Sequence, residues 1–175
     1  MVFITSIVLL ACEPNEAKHQ NNQFNKEKVK LQFVKANQQI VAKEKDEMDY
    51  YQKSHNMAFV QTNSGIRYFV YKPSAKGDSI KNNDLIAIHY KVSLFDGTEC
   101  YSSKKDGIKE FVVGMEDIED GLHKAVLFLK SGDKALIMIP SHLAHGLLGD
   151  SKMIPPQSPI IYDVEIVSVK KSVKN

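Results

Sequence analysis

Residues 153–166 read MIPPQSPIIYDVEI, in which three prolines within five residues lead directly into an apolar, β-branched run. Proline fixes φ near about −65° and restricts the residue before it, so the first part predicts a stiff loop. The run continuing to residue 169 predicts a buried strand. Two interpretations of the prolines stay open: a loop that loses little entropy when it holds a ligand, or a device that keeps a strand edge unpaired.

Upstream of this loop, short strands alternate with turn signals. The stretch DLIAIHYKVSL at 84–94 alternates, with Ile86, Ile88, Tyr90 and Val92 on one face, which is typical of a strand buried on one side. Further strands are predicted at 66–72, 98–103, 110–113, 133–140 and 160–169.

One segment between these strands has helical periodicity. Apolar residues at Ile118, Leu122, Ala125, Val126 and Leu129 lie on one helical face. The sequence therefore predicts an α+β fold, in which a mainly antiparallel sheet is covered by one short helix. The long loop at 141–159 falls inside this domain, and loops of that length are usually functional.

The N-terminal segment VFITSIVLLA at 2–11 is nearly all apolar. It is shorter than the ~20 residues that cross a bilayer as a helix, so we predict a signal peptide over 1–11. Leu9-Leu10-Ala11-Cys12 resembles the bacterial lipobox, which implies lipidation of Cys12 and a lipid-anchored protein of the cell envelope, outside the cytoplasm. The alternative is an apolar stub with a buried cysteine.

Between this leader and the domain, polar residues 12–25 predict a tether, and residues 26–56, without proline or glycine, predict a helical extension. Phe33, Ala36, Ile40, Met48 and Tyr51 lie roughly along one stripe of that helix, which Glu44 and Glu47 interrupt. The stripe predicts packing on the C-terminal domain or on a second copy, as a homodimer. The alternative is an exposed helical spacer.

Composition restricts the classes of function. Basic and acidic residues number 23 and 21, for a net charge of +2, and Arg67 is the only arginine, which disfavours nucleic-acid binding. His89, His123, His142 and His145 show no metal-ligand spacing, so neither a metal nor a cofactor is expected. Cys100 is interpreted as a small pocket residue, with a redox thiol near Lys104 and Lys105 as the alternative.

Short motifs in one order resemble the FKBP-type peptidyl-prolyl isomerases. They are Ile88-His89-Tyr90, Leu94-Phe95-Asp96-Gly97, Ser102-Ser103, Phe111-Val112-Val113-Gly114, Gly121-Leu122, Gly132-Asp133-Lys134-Ala135, Ile139-Pro140, Gly146, Ile154-Pro155-Pro156 and Tyr162-Asp163-Val164-Glu165. The resemblance implies an FKBP-like antiparallel half-barrel wrapped on one short helix over 60–172, with an N-terminal helical extension. The upstream part resembles the macrophage-infectivity-potentiator branch, and a lipidated form also resembles gliding-motility-associated FKBP-type lipoproteins.

The resemblance also implies a site. It assigns catalytic roles to Tyr90, His145 and Tyr162, and substrate contacts to Cys100, Tyr101, Phe111, Ile118, Glu119, Leu122 and Ile154. Several positions depart from the family: Cys100-Tyr101 replaces Phe-Asp, which removes a carboxylate, and Lys109 replaces an aromatic residue. Glu119 stands for an isoleucine whose backbone N–H binds ligand, Leu122 for a tryptophan and His145 for a tyrosine.

Isomerisation needs no nucleophile. An X–Pro amide rotates over a barrier of roughly 18–20 kcal/mol, and a site that binds the twisted amide better than the planar forms lowers it. The expected function is a prolyl isomerase of reduced rate that assists the folding of exported, proline-containing envelope proteins. The alternative is a binding or chaperone lipoprotein with the same fold and little or no catalysis.

Overall fold

The computed structural model describes residues 16–172, with side chains placed from residue 25 onward. Its helices are α1 (Glu16–Ser54), α2 (Ser103–Asp106) and α3 (Asp120–Val126). Its strands are β1 (Val60–Gln61), β2 (Arg67–Lys72), β3 (Leu85–Ser93), β4 (Glu99–Ser102), β5 (Lys109–Val112), β6 (Lys134–Ile139) and β7 (Ile160–Lys170), and a 3₁₀ turn covers Ser141–Leu143. The predicted signal peptide and Cys12 lie outside the described residues.

Helix α1 starts earlier than the sequence predicts. It begins at Glu16, so the part of the predicted tether from residue 16 to 25 is helical. The polar composition that suggested a tether is also compatible with a solvated helix, because Glu, Lys, Gln and Ala have high helix propensity. None of the helices between residues 16 and 172 has the length and apolar character that crossing a membrane requires.

The chain divides between Gln39 and Ile40 into two compact units. In the first unit, the side chains from residue 25 to 39 are exposed along the helix. They include the apolar residues Val29, Leu31, Phe33 and Val34, which are 44–66% exposed.

The second unit holds a seven-stranded sheet in the order β1-β2-β6-β7-β3-β4, with β5 paired to the other end of β3. All of these pairs are antiparallel. Strand β7 lies between β6 and β3, so Pro155, Pro156 and Pro159 do not protect a free edge. The α+β half-barrel with a helical extension is confirmed.

Alternation along the central strands places side chains in two apolar clusters. In β6, Ala135, Ile137 and Ile139 belong to the large cluster that includes α3, whereas Met138 belongs to a small cluster with Met48 and Ile161. This two-sided burial explains why the β7 sequence opens with consecutive apolar residues. The part of α1 from Ile40 onward therefore packs on the sheet face opposite α3.

Helix α3 lies very close to β6. A Cβ atom on Gly121 would sit 2.2 Å from Cγ2 of Ile139 and 2.9 Å from the carbonyl oxygen of Leu143. Leu122, Ala125, Val126 and Leu129 are 0–1% exposed, as the periodicity predicts. The helix itself is shorter than that stripe, because it ends at Val126 and Leu129 lies in the following turn.

Glu44 does not interrupt the packed stripe of α1, contrary to the sequence interpretation. Its side chain is buried, and its carboxylate accepts hydrogen bonds from the backbone N–H of Ser141, at 3.0 Å, and from the Ser141 hydroxyl. A buried carboxylate is stable when donors satisfy it in this way. Glu44 thus fastens α1 to the start of the 141–159 loop.

Candidate functional site

Eight of the residues that the resemblance assigned to the site lie in one large apolar cluster, among them Cys100 and Tyr101 on β4. The other six are here called the pocket cluster: Tyr90 on β3, Phe111 on β5, Ile118 before α3, Leu122 on α3, Ile154 in the loop and Tyr162 on β7. Register on the sheet explains part of this convergence: Val92 pairs with Tyr162 and Tyr90 with Val164. The two tyrosines are therefore diagonal neighbours on one face, with ring centroids 6.3 Å apart at 46°.

The pocket cluster is closed rather than open. Leu122 is 0% exposed and Tyr162 is 2% exposed, and Phe111 and Ile154 are also buried. The resemblance implies that substrate contacts these side chains. In the structure the protein's own groups cover them.

Glu119 is one of the covering groups. Its side chain is 10% exposed, and Oε1 accepts a hydrogen bond of 3.0 Å from the Tyr162 hydroxyl. Nε2 of His145 lies 3.1 Å from the same oxygen without the alignment of a hydrogen bond. The second oxygen, Oε2, and His145 Nε2 are both buried without a hydrogen-bond partner among the described residues. Sequence reasoning assigned this position only a backbone N–H; the signal for its side chain was an acidic residue where the family has isoleucine.

The Tyr162 hydroxyl is held neutral in this arrangement. Burial first, and then the adjacent Glu119 carboxylate, raise the pKa of Tyr162 well above its usual range. Burial and the nearby Asp106 also raise the pKa of Tyr90, whose hydroxyl lies 3.4 Å from Asp106 Oδ2. Both tyrosines are therefore hydrogen-bond donors at neutral pH, although a protein carboxylate accepts each of them in this structure.

A carboxylate lies beside Tyr101, although the family resemblance indicated that the Cys100-Tyr101 pair had lost the Asp found there in the family. The Tyr101 hydroxyl donates to Oδ2 of Asp150, in the loop. Oδ1 of Asp150 accepts from the backbone N–H groups of Lys152, Met153 and Ile154 at 2.9, 3.0 and 2.8 Å. An Asp at the start of a tight turn was the available signal for this role.

This pair fixes the loop that carries Ile154. Burial alone would raise the pKa of Asp150, but the hydrogen bonds from Tyr101 and the loop backbone lower it to about 2. The hydrogen bond to Asp150, together with burial, raises the pKa of Tyr101 to about 12. Gly149, at φ +69°, leaves room here, because a Cβ atom would meet the Ile154 carbonyl oxygen at 2.2 Å.

Cys100 is a packed thiol. It is 6% exposed, and its Sγ lies 3.7 Å from the carbonyl oxygen of Met153. Burial first, and then the charge of Asp150, raise the pKa of Cys100, and Lys105 pairs with Glu99 instead. These features support the small packing residue over the redox thiol.

An open cleft of about 490 Å³ lies next to the pocket cluster. Its walls are Lys109, Asp117, Ile118, Glu119, Asp120, His142, Leu143, Ala144 and His145. The cleft therefore contains the two residues, Glu119 and His145, that carry the unpartnered polar atoms. Its exposed rim is mainly charged, in contrast to the apolar cluster beside it.

The sheet order, the single helix α3 against it and the residues gathered between them define an FKBP-type domain. Residues 77–167 match the FKBP-type peptidyl-prolyl cis-trans isomerase family, and the chain belongs to that family.

Individual proteins agree with this assignment. The chain is 31% identical over 146 residues to the FKBP-type isomerase FkpA of Buchnera aphidicola from Schizaphis graminum, covering 83% of this chain and 56% of that protein. It is 36% identical over 88 residues to the macrophage infectivity potentiator of Trypanosoma cruzi, covering 50% of this chain and 44% of that protein. The chain thus spans about half the length of the curated relatives it matches.

Solved structures extend the likeness. The crystal structure of FkpA from Escherichia coli superposes with a TM-score of 0.65 at 26% identity, covering 92% of this chain and 75% of that one. The crystal structure of AtFKBP13 gives 0.60 at 24% identity over 63% of this chain and 98% of that one, which supports the fold.

Proposed function

We propose that this protein catalyses cis–trans isomerisation of X–Pro bonds in exported polypeptides and so assists the folding of envelope proteins. The observation that carries the proposal is the convergence of Tyr90, Ile118, Leu122, Ile154 and Tyr162 in one apolar cluster. A proline ring held against such a cluster is removed from water. A twisted amide loses delocalised charge, so a dry aromatic site favours it over the planar forms.

Polar groups at the edge of the pocket cluster orient the bound amide. The Tyr90 and Tyr162 hydroxyls are neutral donors, and His145 Nε2 has no hydrogen-bond partner among the described side chains. A single donor to the substrate carbonyl, from His145 or from Tyr90, is enough to select one rotational direction. The proposed chemistry moves no proton and forms no covalent bond.

Substrate binding in this site requires a local rearrangement. Leu122 and Tyr162 are both buried, so a proline ring cannot reach them in this arrangement. Glu119 must first release the Tyr162 hydroxyl. Breaking a hydrogen bond to a charged group costs about 1.5–3 kcal/mol, which corresponds to roughly a tenfold or greater reduction in rate. The proposal is therefore an isomerase of reduced rate.

The second candidate is a binding or chaperone module without catalysis. It is favoured by one observation: a carboxylate is turned toward a cluster that isomerisation requires to be apolar. Such a module would hold proline-containing clients in the adjacent cleft and leave their bonds unchanged.

A peptide exchange assay separates the two candidates. The rate of cis–trans exchange of an Ala-Leu-Pro-Phe peptide is measured by NMR with and without the full chain. The isomerase predicts exchange faster than in buffer, reduced by Tyr90→Ala. Binding of the peptide with an exchange rate equal to that in buffer would support the module instead.

Location and assembly are separate proposals. The lipobox-like Leu9-Leu10-Ala11-Cys12 supports a lipid anchor in the cell envelope, and a Cys12→Ala variant should then leave the membrane fraction. Retention of that variant in membranes would contradict the anchor. The upstream helix and Asn63-Ser64-Gly65-Ile66 support the macrophage-infectivity-potentiator-like branch of the family, and a lipidated form also fits the gliding-motility-associated lipoproteins.

A homodimer through the N-terminal helix is the proposed assembly. It is supported by the exposed apolar side chains Val29, Leu31, Phe33 and Val34 on one continuous helix. Sedimentation of the full chain tests it: Phe33→Glu should shift a dimer to monomer, whereas Gln38→Glu should not. A wild-type chain that sediments as a monomer at micromolar concentration would contradict the proposal.

A further inference from the structure

Glu119 carries the one carboxylate oxygen that is buried in the site without a hydrogen-bond partner among the described residues. Its Oε1 is occupied by the Tyr162 hydroxyl, but Oε2 has no donor. The side chain is 10% exposed, so water does not replace the missing partner freely. Buried polar atoms in folded proteins almost always have partners, so an orphan acceptor in a binding site indicates a donor that arrives with the ligand.

The surroundings of Glu119 favour a cationic donor. The cleft it lines is bounded by three carboxylates, those of Asp117, Glu119 and Asp120, against one ammonium group, that of Lys109. Lys124 lies 3.9 Å from Asp120 and offsets part of that charge at the exposed rim. Lys109 forms no ion pair with a described carboxylate. Nε2 of His145 lies 3.1 Å from Oε1 of Glu119, so the oxygen left for a ligand is Oε2, which no described donor reaches.

The nature of the donor follows from charge and burial together. A neutral amide would satisfy the lone pairs of Oε2 but would add no positive charge beside a carboxylate in a poorly solvated position. An ammonium or guanidinium group supplies both a donor and the opposite charge, and such charge-assisted hydrogen bonds are about twice as strong as neutral ones.

We infer that Glu119 is a specificity-determining residue, which selects substrates with a lysine or arginine next to the proline. The inference rests on the proposed function, because it concerns which prolines the same site accepts. The cation pairs with Oε2 in the cleft while the proline occupies the pocket cluster. Pairing with the substrate cation also draws Glu119 away from Tyr162. A basic substrate therefore helps to expose Tyr162 and Leu122, whereas an uncharged substrate binds only after Glu119 has moved without such help.

The test compares peptides that differ in one residue. Ala-Lys-Pro-Phe, Ala-Gln-Pro-Phe and Ala-Glu-Pro-Phe, and a second set with the variable residue after proline, are assayed for kcat/KM by NMR exchange. In at least one set, the lysine peptide should exceed the glutamine peptide by roughly tenfold, and the glutamate peptide should fall below it. Raising the salt concentration should reduce the difference.

Variants of the full chain assign the preference to Glu119. Glu119→Gln keeps an acceptor for Tyr162 and should bring the lysine-to-glutamine ratio close to one, and Glu119→Lys should invert it. The matched control is Glu116→Gln, an exposed carboxylate that does not line the cleft, which should change the ratio less than about twofold. Thermal unfolding of each variant checks that the fold is intact.

The outcomes are distinguishable from those of the proposed function. Equal kcat/KM for lysine and glutamine peptides in both sets, or an unchanged ratio in Glu119→Gln, overturns the inference while isomerisation stands. If no peptide is turned over, the isomerase fails, and dissociation constants of fluorescently labelled versions of the same peptides decide the inference by the same ratios.

Discussion

The hydroxyl of Tyr162 donates a 3.0 Å hydrogen bond to the carboxylate of Glu119 at the edge of the pocket cluster. These two residues come from β7 and from the segment before α3, 43 positions apart in the chain. In the proposed function, Tyr162 contacts the substrate and Glu119 moves away from it. We therefore expect this bond to influence both the rate and the substrate range of the proposed isomerase.

Replacing Glu119 with isoleucine should raise turnover of uncharged substrates. The change removes the acceptor that holds Tyr162 and places an apolar side chain at the edge of an apolar cluster. We expect kcat/KM for Ala-Leu-Pro-Phe to rise about three- to tenfold, measured by NMR exchange. Glu116→Ile, at an exposed position that does not line the cleft, is the control and should not increase turnover. A slower Glu119→Ile enzyme of wild-type stability would show that Glu119 assists uncharged substrates.

Glu44 should be a strong determinant of stability, unlike its neighbours on α1. Glu44→Ala leaves two donors of Ser141 unpaired in a buried position, so the free energy of unfolding should fall by about 1–3 kcal/mol. Urea denaturation measures this loss.

Glu47→Ala is the matched control for Glu44. Glu47 is 38% exposed on its side chain and lies 3.7 Å from Lys43, so its loss should cost less than about 0.5 kcal/mol. A double-mutant cycle with Ser141→Ala should show a coupling energy above about 0.5 kcal/mol. Additive effects of Glu44→Ala and Ser141→Ala would mean that the contact does not stabilise the fold.

The Tyr101–Asp150 pair should make stability depend on acid in a defined range. The folded-state pKa of Asp150, about 2, is below the ordinary value of 3.8, so the carboxylate stabilises the fold above about pH 4. That stabilisation is lost as the pH falls toward 2. The difference in unfolding free energy between wild type and Asp150→Asn should be about 1–2 kcal/mol at neutral pH and shrink between pH 4 and pH 2.5.

The control for acid dependence is Asp117→Asn, which changes an exposed carboxylate. Its difference from wild type should stay near zero throughout. A wild-type advantage over Asp150→Asn that persists unchanged at pH 2.5 would rule out the low pKa of Asp150.

Cys100 should react slowly with thiol reagents. Its side chain is buried and the pKa of its thiol is raised, so little thiolate is both present and accessible. In a Cys12→Ala background, the reaction with Ellman's reagent should be at least tenfold slower in the native protein than in denaturant. Equal rates in the two conditions would show that the thiol is open to solvent and would restore the redox interpretation.

The sequence predicted six of the seven strands, because strand and helix periods are local properties; the two-residue β1 is too short to show a period. The alternation of β3 and the stripe of α3 each appear within about a dozen residues and persist in the structure. The residues of the pocket cluster were also predictable, because each family motif lies on a particular strand, helix or loop of the fold.

Side-chain partners distant in sequence could not be predicted in this way. Glu44 meets Ser141 across 97 positions, and Tyr101 meets Asp150 across 49. No local pattern encodes such a pairing, so Glu44 looked like an interruption and the Tyr101 region looked bare of carboxylate. The position of the Glu119 side chain likewise depends on its hydrogen bond with the Tyr162 hydroxyl. That contact forms only when β7 and the segment before α3 have come together.

The most direct test of the account is the rate of X–Pro exchange at the pocket cluster. Exchange of Ala-Leu-Pro-Phe is measured with the wild-type full chain, with Tyr90→Ala, and with Tyr71→Ala. Tyr71 lies on β2, is 45% exposed and does not belong to the pocket cluster. We predict that wild type and Tyr71→Ala accelerate exchange equally and that Tyr90→Ala loses at least tenfold of that acceleration. Exchange at the buffer rate with the wild-type chain, or equal acceleration by Tyr90→Ala, would contradict the proposal that this cluster is where prolines isomerise.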